Sequence, residues 1–599
     1  MRKHLEYTPI HTVLIPVVHD GPGMQALEAA RHLYAEIILV GVVVVPEDQS
    51  LSTGTMAARA LRKQLRELGK DERISSKLQP IVSYQPWNEL SNIIQKEKPD
   101  LICLEWDAHF HALGVTTSEV LTRPPCNVAL VRGKLPNKPN QVLVPVRGGP
   151  HAELSLRVGL GLHPKGVTAL HLRTSDDPEA GSDAPFKGLD RVLKQMPDVR
   201  KQFAVTDDAA QLILENAKKA DVIILGATSQ PITSSASLGA FADRILREAP
   251  CAVIAVKSGR PAPQTGYDES VGVQAISILV DKWFAENTLE ADDFQPLEDL
   301  VELKRQQGKT ISLALPALNE EETVGKVIKL MKNELMEKFP LLDEIVLIDS
   351  NSTDRTREIA EEEGIPVHIH QHLLERLGSR PGKGEALWKS LLVTHGDIIA
   401  WIDTDIVNIH PRFVYGILGP MLVNPQVQFV KGFYRRPLKV GKKMQAGGGG
   451  RVTELTARPL LNLFYPELSG VVQPLSGEYA GRREALERAP FFSGYGVETG
   501  LLIDIYERYG LSAIAQVDLL ERIHHNQPLE ALSKMSFAII QTVMRKLENR
   551  FGRAVLEDVN RSMKLIRHGV TGYYLDVEEI AERERQPMIE VREYLERNG

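Results

Sequence analysis

What most constrains the fold of this 599-residue chain is that its first half repeats itself. Val13-Leu14-Ile15-Pro16-Val17 returns as Val142-Leu143-Val144-Pro145-Val146, and Pro125-Cys126-Asn127-Val128-Ala129 returns as Pro250-Cys251-Ala252-Val253-Ile254. The two offsets, 129 and 125 residues, agree to within a short loop, so one domain-sized unit is duplicated in tandem. Each copy reads as apolar strands alternating with helical stretches: Glu36–Val45, Asp100–Glu105 and Asp221–Gly226 as strands, and Ala209–Ala220 as a helix. Continuous Val/Ile/Leu runs separated by helices specify a parallel sheet covered on both faces.

Composition removes several classes. A net charge of −7 lacks the basic excess of a general nucleic-acid binder. Apolar and charged contents of 43% and 25% are those of an ordinary soluble protein. No secretory leader is expected, because Glu6 and Tyr7-Thr8-Pro9 fall where an apolar segment should follow the basic start. The most apolar run, Ile37 to Val45, is far shorter than the roughly 20 residues of a membrane span. Cys103, Cys126 and Cys251 are too few for a disulfide framework and lack metal-site spacing. A cytoplasmic protein without nucleic-acid or membrane partners is expected.

The opening V-L-[IV]-P-V and closing P-C-x-V strands of each copy resemble the universal stress protein family over nearly all of residues 10–258. That resemblance implies two tandem parallel-sheet domains, residues 1–135 and 136–258. Many members hold ATP in a G-x-x-G, nine-residue, G-[ST] loop. Here the second copy offers Gly226-Ala227-Thr228-Ser229 and then Gly239-Ala240, with Ser229 in place of the second glycine and Ala240 in place of the hydroxyl residue. The first copy has Glu105 at the first glycine, a carboxylate that repels phosphate. A dimerisation or regulatory module with a vestigial site is the expectation. Residues 259–282, opening on Gly259-Arg260-Pro261-Ala262-Pro263, read as a linker.

From Ile311 a second α/β pattern begins. Ile311–Leu315, Glu344–Asp349 and Asp397–Ile402 read as strands, each followed by polar residues, with a helix over Glu385–Val393. Asn319 reads as a helix N-cap with Glu320, Glu321 and Glu322 in the first turn. Ligands of open α/β sheets bind beyond the carboxyl ends of the strands, where these polar clusters fall. The third strand delivers Asp403-Thr404-Asp405. Carboxylates at i and i+2 of an extended segment point to the same side, and hard divalent cations take such oxygens together with substrate phosphates.

Pro316-Ala317-Leu318-Asn319-Glu320-Glu321, Asp349-Ser350-Asn351-Ser352-Thr353-Asp354 and Asp403-Thr404-Asp405, in that order, resemble a GT-A glycosyltransferase. Gly382-Lys383-Gly384-Glu385-Ala386-Leu387-Trp388, Gly448-Gly449-Gly450-Arg451-Val452-Thr453-Glu454-Leu455, Gln473-Pro474-Leu475-Ser476-Gly477-Glu478-Tyr479 and Tyr495-Gly496-Val497-Glu498 narrow this to a resemblance to the glucosyl-3-phosphoglycerate synthase family. The tandem repeat is not part of that family's usual form. The resemblance implies a GT-A domain over residues 283–550, moving glucose with retention from UDP-glucose to the C2 hydroxyl of 3-phospho-D-glycerate with Mg²⁺ or Mn²⁺. By position it assigns Pro316, Ala317, Leu318, Glu320, Ser350, Lys383, Asp403 and Thr404 to the nucleotide-sugar. Tyr495 and Glu498 go to the sugar end. Gly450, Arg451, Val452, Thr453 and Asn526 go to the acceptor, and Asp405 and His524 to the metal. Asp405, Glu498 and Arg451 are the catalytic expectations, while Arg435 and Arg436 read as rim charges. No residue stands out as a nucleophile for double displacement, so substitution on one face, with the leaving diphosphate taking the acceptor proton, is expected. Both halves come from families that commonly dimerise, so a homodimer is expected. Residues 551–599 are expected as a helical extension. The competing readings are a mannosyl-3-phosphoglycerate or glucosylglycerate synthase, and a stress-responsive nucleotide sensor with an inert transferase half.

Overall fold

The computed structural model describes residues 10–71, 73–122, 124–146, 150–173, 193, 196–227, 240–259, 273–435, 438–440, 443–445, 450–523, 528–552, 561–569 and 572–598. The chain forms two compact units, Met1–Ser270 and Val271–Gly599.

The first unit carries one ten-stranded sheet. Its strands are β1 (Thr12–Val18), β2 (Glu36–Val44), β3 (Ile74–Ser83), β4 (Leu101–Glu105), β5 (Asn127–Arg132), β6 (Val142–Val146), β7 (Val167–Arg173), β8 (Arg200–Val205), β9 (Val222–Gly226) and β10 (Ala252–Lys257). The order β3-β2-β1-β4-β5 meets β10-β9-β6-β7-β8, so the second five strands repeat the order of the first, read from the opposite edge. All pairs are parallel except β5 with β10, where the two copies join antiparallel. The duplication extends to single side chains. Asp100 accepts the N–H groups of His11 and Thr12 at 2.7 and 3.1 Å, and Asp221 those of Asn140 and Gln141 at 2.7 and 3.0 Å. Each aspartate precedes its strand and fixes the entry to the neighbouring one. Central strands such as β1 and β4 are buried along almost their whole length, as sheets covered on both faces require.

The second unit holds an eight-stranded sheet made of β11 (Thr288–Glu290), β12 (Ile311–Ala317), β13 (Glu344–Asp349), β14 (Val367–Ile369), β15 (Ile398–Trp401), β16 (Phe429–Arg435), β19 (Tyr479–Arg482) and β21 (Ile514–Glu521). Between β16 and β19 lies a small hairpin, β17 (Leu438–Val440) with β18 (Lys443–Gln445); β20 is Phe491–Phe492. The order is β11-β21-β16-β19-β15-β12-β13-β14, and only β19 runs antiparallel to its neighbours. Two apolar layers flank the sheet, one around Val327, Phe413 and Ile417, the other around Trp388, Trp401 and Tyr479. The carboxyl ends of β12, β13 and β15 point to one side, where the chain turns polar.

Two expectations change here. The helix Val273–Asn287 begins inside the span read as linker. Residues 551–599 are not a helical extension. Among the described residues, Phe551 ends the preceding helix Leu529–Phe551, and the rest form a hairpin, β22 (Ser562–Gly569) with β23 (Gly572–Glu579), then β24 (Glu584–Arg585) against β20, and a last helix at Arg592–Asn598. Tyr573, Leu575 and Val577 alternate with period 2, and Gly572 takes the positive φ of +134° that the hairpin turn needs.

Candidate active site

Beyond the strand ends lies a cavity of about 600 Å³. Its lining includes Pro316, Ala317, Leu318, Glu320, Ser350, Lys383, Asp403, Thr404, Asp405, Gly450, Arg451, Val452, Thr453, Tyr495 and Glu498, so every described residue expected at the site meets in one place. His524 and Asn526 lie outside the described residues, as do Arg436, the Thr228-Ser229 pair and Gly239 of the suspected nucleotide loop. Arg435 is described and exposed.

Local physics explains the presentation. Asn319 is not an N-cap: it turns the chain at φ +56°, and its side-chain oxygen accepts the Thr353 N–H at 2.8 Å. The helix starts at Val324 instead. An asparagine tolerates this left-handed conformation and is released from capping to tie two loops together. The Glu320 and Glu321 N–H groups donate to Thr356 and Asp354 at 2.8 and 3.1 Å, holding Glu320 at the cavity. Lys383 is the first residue of the helix Lys383–Val393, introduced by Gly382 at φ +120°.

The charges form one network. Asp403 lies between Lys383, 2.6 Å from Nζ, and Arg522, 3.0 Å from Nη1. Burial pushes its carboxyl up, but these two cations hold it well below the ordinary carboxylate range. A Cβ at residue 477 would collide with this carboxylate, so Gly477 is required there. Lys383 also pairs with Glu498 at 3.1 Å; burial disfavours its charge, yet Asp403 and Glu498 raise it well above the usual lysine range. Arg522 is buried and reaches Asp403, Asp405 at 2.5 Å and Glu478 at 2.6 Å. Below them Lys431 donates to the Ser476 carbonyl at 2.7 Å, and burial pushes its ammonium down to about 7. Thr404 donates to the Pro316 carbonyl at 3.0 Å, joining the two strand ends.

The oxygen chemistry fits a divalent cation. The Asp405 side chain is 40% exposed and faces the cavity. Glu320 is pushed up to about 7, first by burial and then by the facing Asp405 and Asp403 carboxylates, an excess of negative charge that a cation relieves. Among the described residues no cluster of three His, Cys, Asp or Glu side chains could hold an ion.

Sequence reasoning missed several participants. Glu478 stood in a quoted block without a role, and Arg522 was not singled out, although an arginine closing an apolar strand is a usable signal. His370 and Gln371 line the cavity from the segment after β14. The His370 imidazole is buried and kept neutral, pushed down to about 4 by burial and by the Lys389 ammonium. Glu582, from beyond the hairpin, was invisible to local reading.

Comparison with known proteins gives two family matches: the universal stress protein family over residues 140–257 and glycosyl transferase family 2 over residues 312–488. The glucosyl-3-phosphoglycerate synthase of Petrotoga mobilis is 53% identical over 305 residues, which are 51% of this chain and 94% of that protein. Among solved structures, the glucosyl-3-phosphoglycerate synthase of Mycobacterium tuberculosis in complex with Mn²⁺, UDP and phosphoglyceric acid is 43% identical. The match covers 49% of this chain and 95% of that one, with a TM-score of 0.44. The mannosyl-3-phosphoglycerate synthase of Rubrobacter xylanophilus is 41% identical over 52% of this chain and 98% of its own, with a TM-score of 0.48. No described helix is long and apolar enough to cross a membrane.

Proposed function

We propose, from the premise that the chain belongs to the glucosyl-3-phosphoglycerate synthase family, that its cavity transfers glucose from UDP-glucose to the C2 hydroxyl of 3-phospho-D-glycerate. The chain is a metal-dependent hexosyltransferase, and its product, glucosyl-3-phosphoglycerate, serves compatible-solute or polysaccharide synthesis. The observation that carries this reading is the convergence of the donor-side and acceptor-side residues on one cavity.

In this reading Pro316, Ala317, Leu318, Glu320 and Ser350 receive the uridine, and Asp403 and Thr404 support the nucleotide-sugar. Asp405, with His524, holds Mg²⁺ or Mn²⁺. The cation offsets the charge that grows on the departing diphosphate. Lys383, already between Asp403 and Glu498, stands between the diphosphate and the sugar. Tyr495 and Glu498 bind hexose hydroxyls. The Gly450 backbone, at φ +85°, together with Arg451, Val452, Thr453 and Asn526, receives the phosphate and carboxylate of the acceptor. The C1–O bond to the diphosphate breaks while a C1–O bond to the acceptor forms on the same face. The acceptor proton passes to a diphosphate oxygen, which accounts for retention without a protein nucleophile.

The first unit is, in the same proposal, a pair of universal-stress-type domains, supported by the repeated strand order and the paired roles of Asp100 and Asp221. In its first copy the Glu105 carboxylate accepts the N–H groups of Gly23, Gln25 and Ala26 at 2.8, 2.7 and 3.3 Å. An anion is thus built into the helix start, where a phosphate would otherwise be drawn, which supports a vestigial site there. A cytoplasmic homodimer completes the proposal.

The test is product formation by the full chain from UDP-glucose or GDP-mannose with 3-phosphoglycerate or glycerate, with and without EDTA. Phosphorylated glucoside from UDP-glucose and 3-phosphoglycerate, abolished by EDTA, is expected. Asp405→Ala should lower kcat by at least ~100-fold with the fold intact, the scale expected when a group stabilising transition-state charge is lost. Full activity of that variant would remove the metal assignment.

A further inference from the structure

Tyr495 sits in the turn at residues 494–496 that leads into the helix Val497–Tyr509, whose second residue is Glu498. The turn's anchor comes from the C-terminal segment, which no reading of the site includes. The Glu582 carboxylate accepts the N–H of Tyr495 at 2.9 Å and that of Gly494 at 3.2 Å, and it also faces the N–H of Gly496. The fit depends on two glycines, since a Cβ at Gly494 would collide with the Glu582 carboxylate and one at Gly496 with the Thr542 hydroxyl. Glu582 is itself fixed, its N–H donating to the Gln541 side chain at 3.1 Å. One residue on, the Arg583 carbonyl accepts the Ser493 N–H at 3.0 Å, and β24 then pairs with β20. The same segment also binds the helix that Lys383 opens. Arg585 makes two hydrogen bonds to Glu385, at 2.8 and 2.7 Å, and reaches the Leu377 and Gly378 carbonyls at 2.9 and 2.8 Å.

We propose that Glu582 is a positioning residue of the transferase: by holding the backbone of Gly494, Tyr495 and Gly496 it sets Tyr495 and Glu498 against the transferred hexose. This rests on the reading of Tyr495 and Glu498 as sugar-facing. A carboxylate suits the task because it only accepts, and three converging N–H groups offer only donors. A glutamine would turn its own NH₂ towards at least one of them and leave a buried donor unpaired. The charged groups facing Glu582 are few. Glu498 is the like charge across the loop, Lys383 compensates Glu498 at 3.1 Å, and Arg583 on the same segment is exposed.

The test compares the full chain with Glu582→Gln and Glu582→Asp by three measurements. These are hydrogen exchange of the peptide spanning Phe491 to Glu498, steady-state kinetics with UDP-glucose and 3-phosphoglycerate, and binding of UDP alone with Mn²⁺. For the glutamine variant, exchange at residues 494–496 should accelerate and kcat/KM for UDP-glucose should fall about 10- to 100-fold, the loss expected from one buried donor left unpaired. Most of that loss should sit in kcat, with UDP affinity within about twofold, because UDP lacks the hexose. The aspartate variant, charged but shorter, should fall between. Unchanged exchange, or a wild-type kcat/KM in the glutamine variant, overturns the proposal. Equal losses of UDP affinity and turnover also overturn it, since they mark a general structural role. If the wild-type chain made no glucoside, the reading of the site would fall, while the exchange rates would still decide whether Glu582 anchors the loop.

Discussion

Arg522 sets the electrostatics of the cavity from beneath, because one buried guanidinium serves Asp403, Asp405 and Glu478 at once. The two aspartates were legible, since an apolar strand ending in D-x-D is a local pattern. Their common partner lies 119 and 117 positions further along the chain, and no local pattern reports such a pairing. Glu582 is the same case in sharper form, and its protonation makes a separable prediction. Burial first, and the facing Glu498 second, push its carboxyl up to about 7 in the folded chain, although the backbone N–H groups pull the other way. A carboxyl raised on folding contributes stability that is fully present below its unfolded value and is lost as pH rises through the folded one. Glu582→Gln removes that titration. The variant's melting temperature relative to wild type should therefore stand a few degrees higher at about pH 8 than at about pH 5, where wild-type Glu582 is protonated as well, on top of the pH-independent cost of the unpaired donor. Melting curves across this range check it; a difference that does not vary with pH would refute the titration. The ionised form is thus a stability cost retained at the site that needs the loop held.

At the scale of elements, the strands and the helix Lys383–Val393 were legible because long apolar runs and glycine punctuation are local signals. The C-terminal segment was not. Its glutamates and arginines mimic an exposed helix, whereas the structure spends them on contacts far back in the chain. Arg585 is nearly buried and closes on the buried Glu385, with its guanidinium 5.2 Å from the Trp388 ring centroid. Removing one partner of a buried pair costs about 3–5 kcal/mol where it strands the other, more than an exposed pair is worth; Lys389, 3.3 Å from Glu385, still faces the carboxylate here and keeps the loss at the lower end. Arg585→Met alone should lower the melting temperature by roughly 5–15 °C for a unit of this size. Glu385→Gln with Arg585→Met should lose less than the two single changes added, because neither charge is then left alone. A thermal double-mutant cycle reads this directly, and strict additivity would show that the pair is not the clasp that the structure draws.

The whole molecule divides where its sequence resemblances divide, and the division predicts where the chemistry resides. All the described cavity residues belong to the unit Val271–Gly599, and the Petrotoga mobilis relative matches 51% of this chain with 94% of its own length. The tandem repeat is therefore an addition to a catalytic body that relatives possess without it. Its two copies already pair through β5 and β10, which satisfies within one chain the sheet edge that each copy would otherwise expose. Every described cavity residue belongs to the second unit, so residues 271–599 expressed alone should keep kcat/KM for UDP-glucose and 3-phosphoglycerate within about threefold, less than 1 kcal/mol of transition-state stabilisation. The truncated protein must still include Glu582 and Arg585; ending it at residue 580 should abolish turnover even though every expected site residue remains. A folded 271–599 fragment with activity reduced by about 100-fold or more would instead make the repeat part of the catalytic machinery. It would then be the first unit, and not the C-terminal clasp, that completes the site.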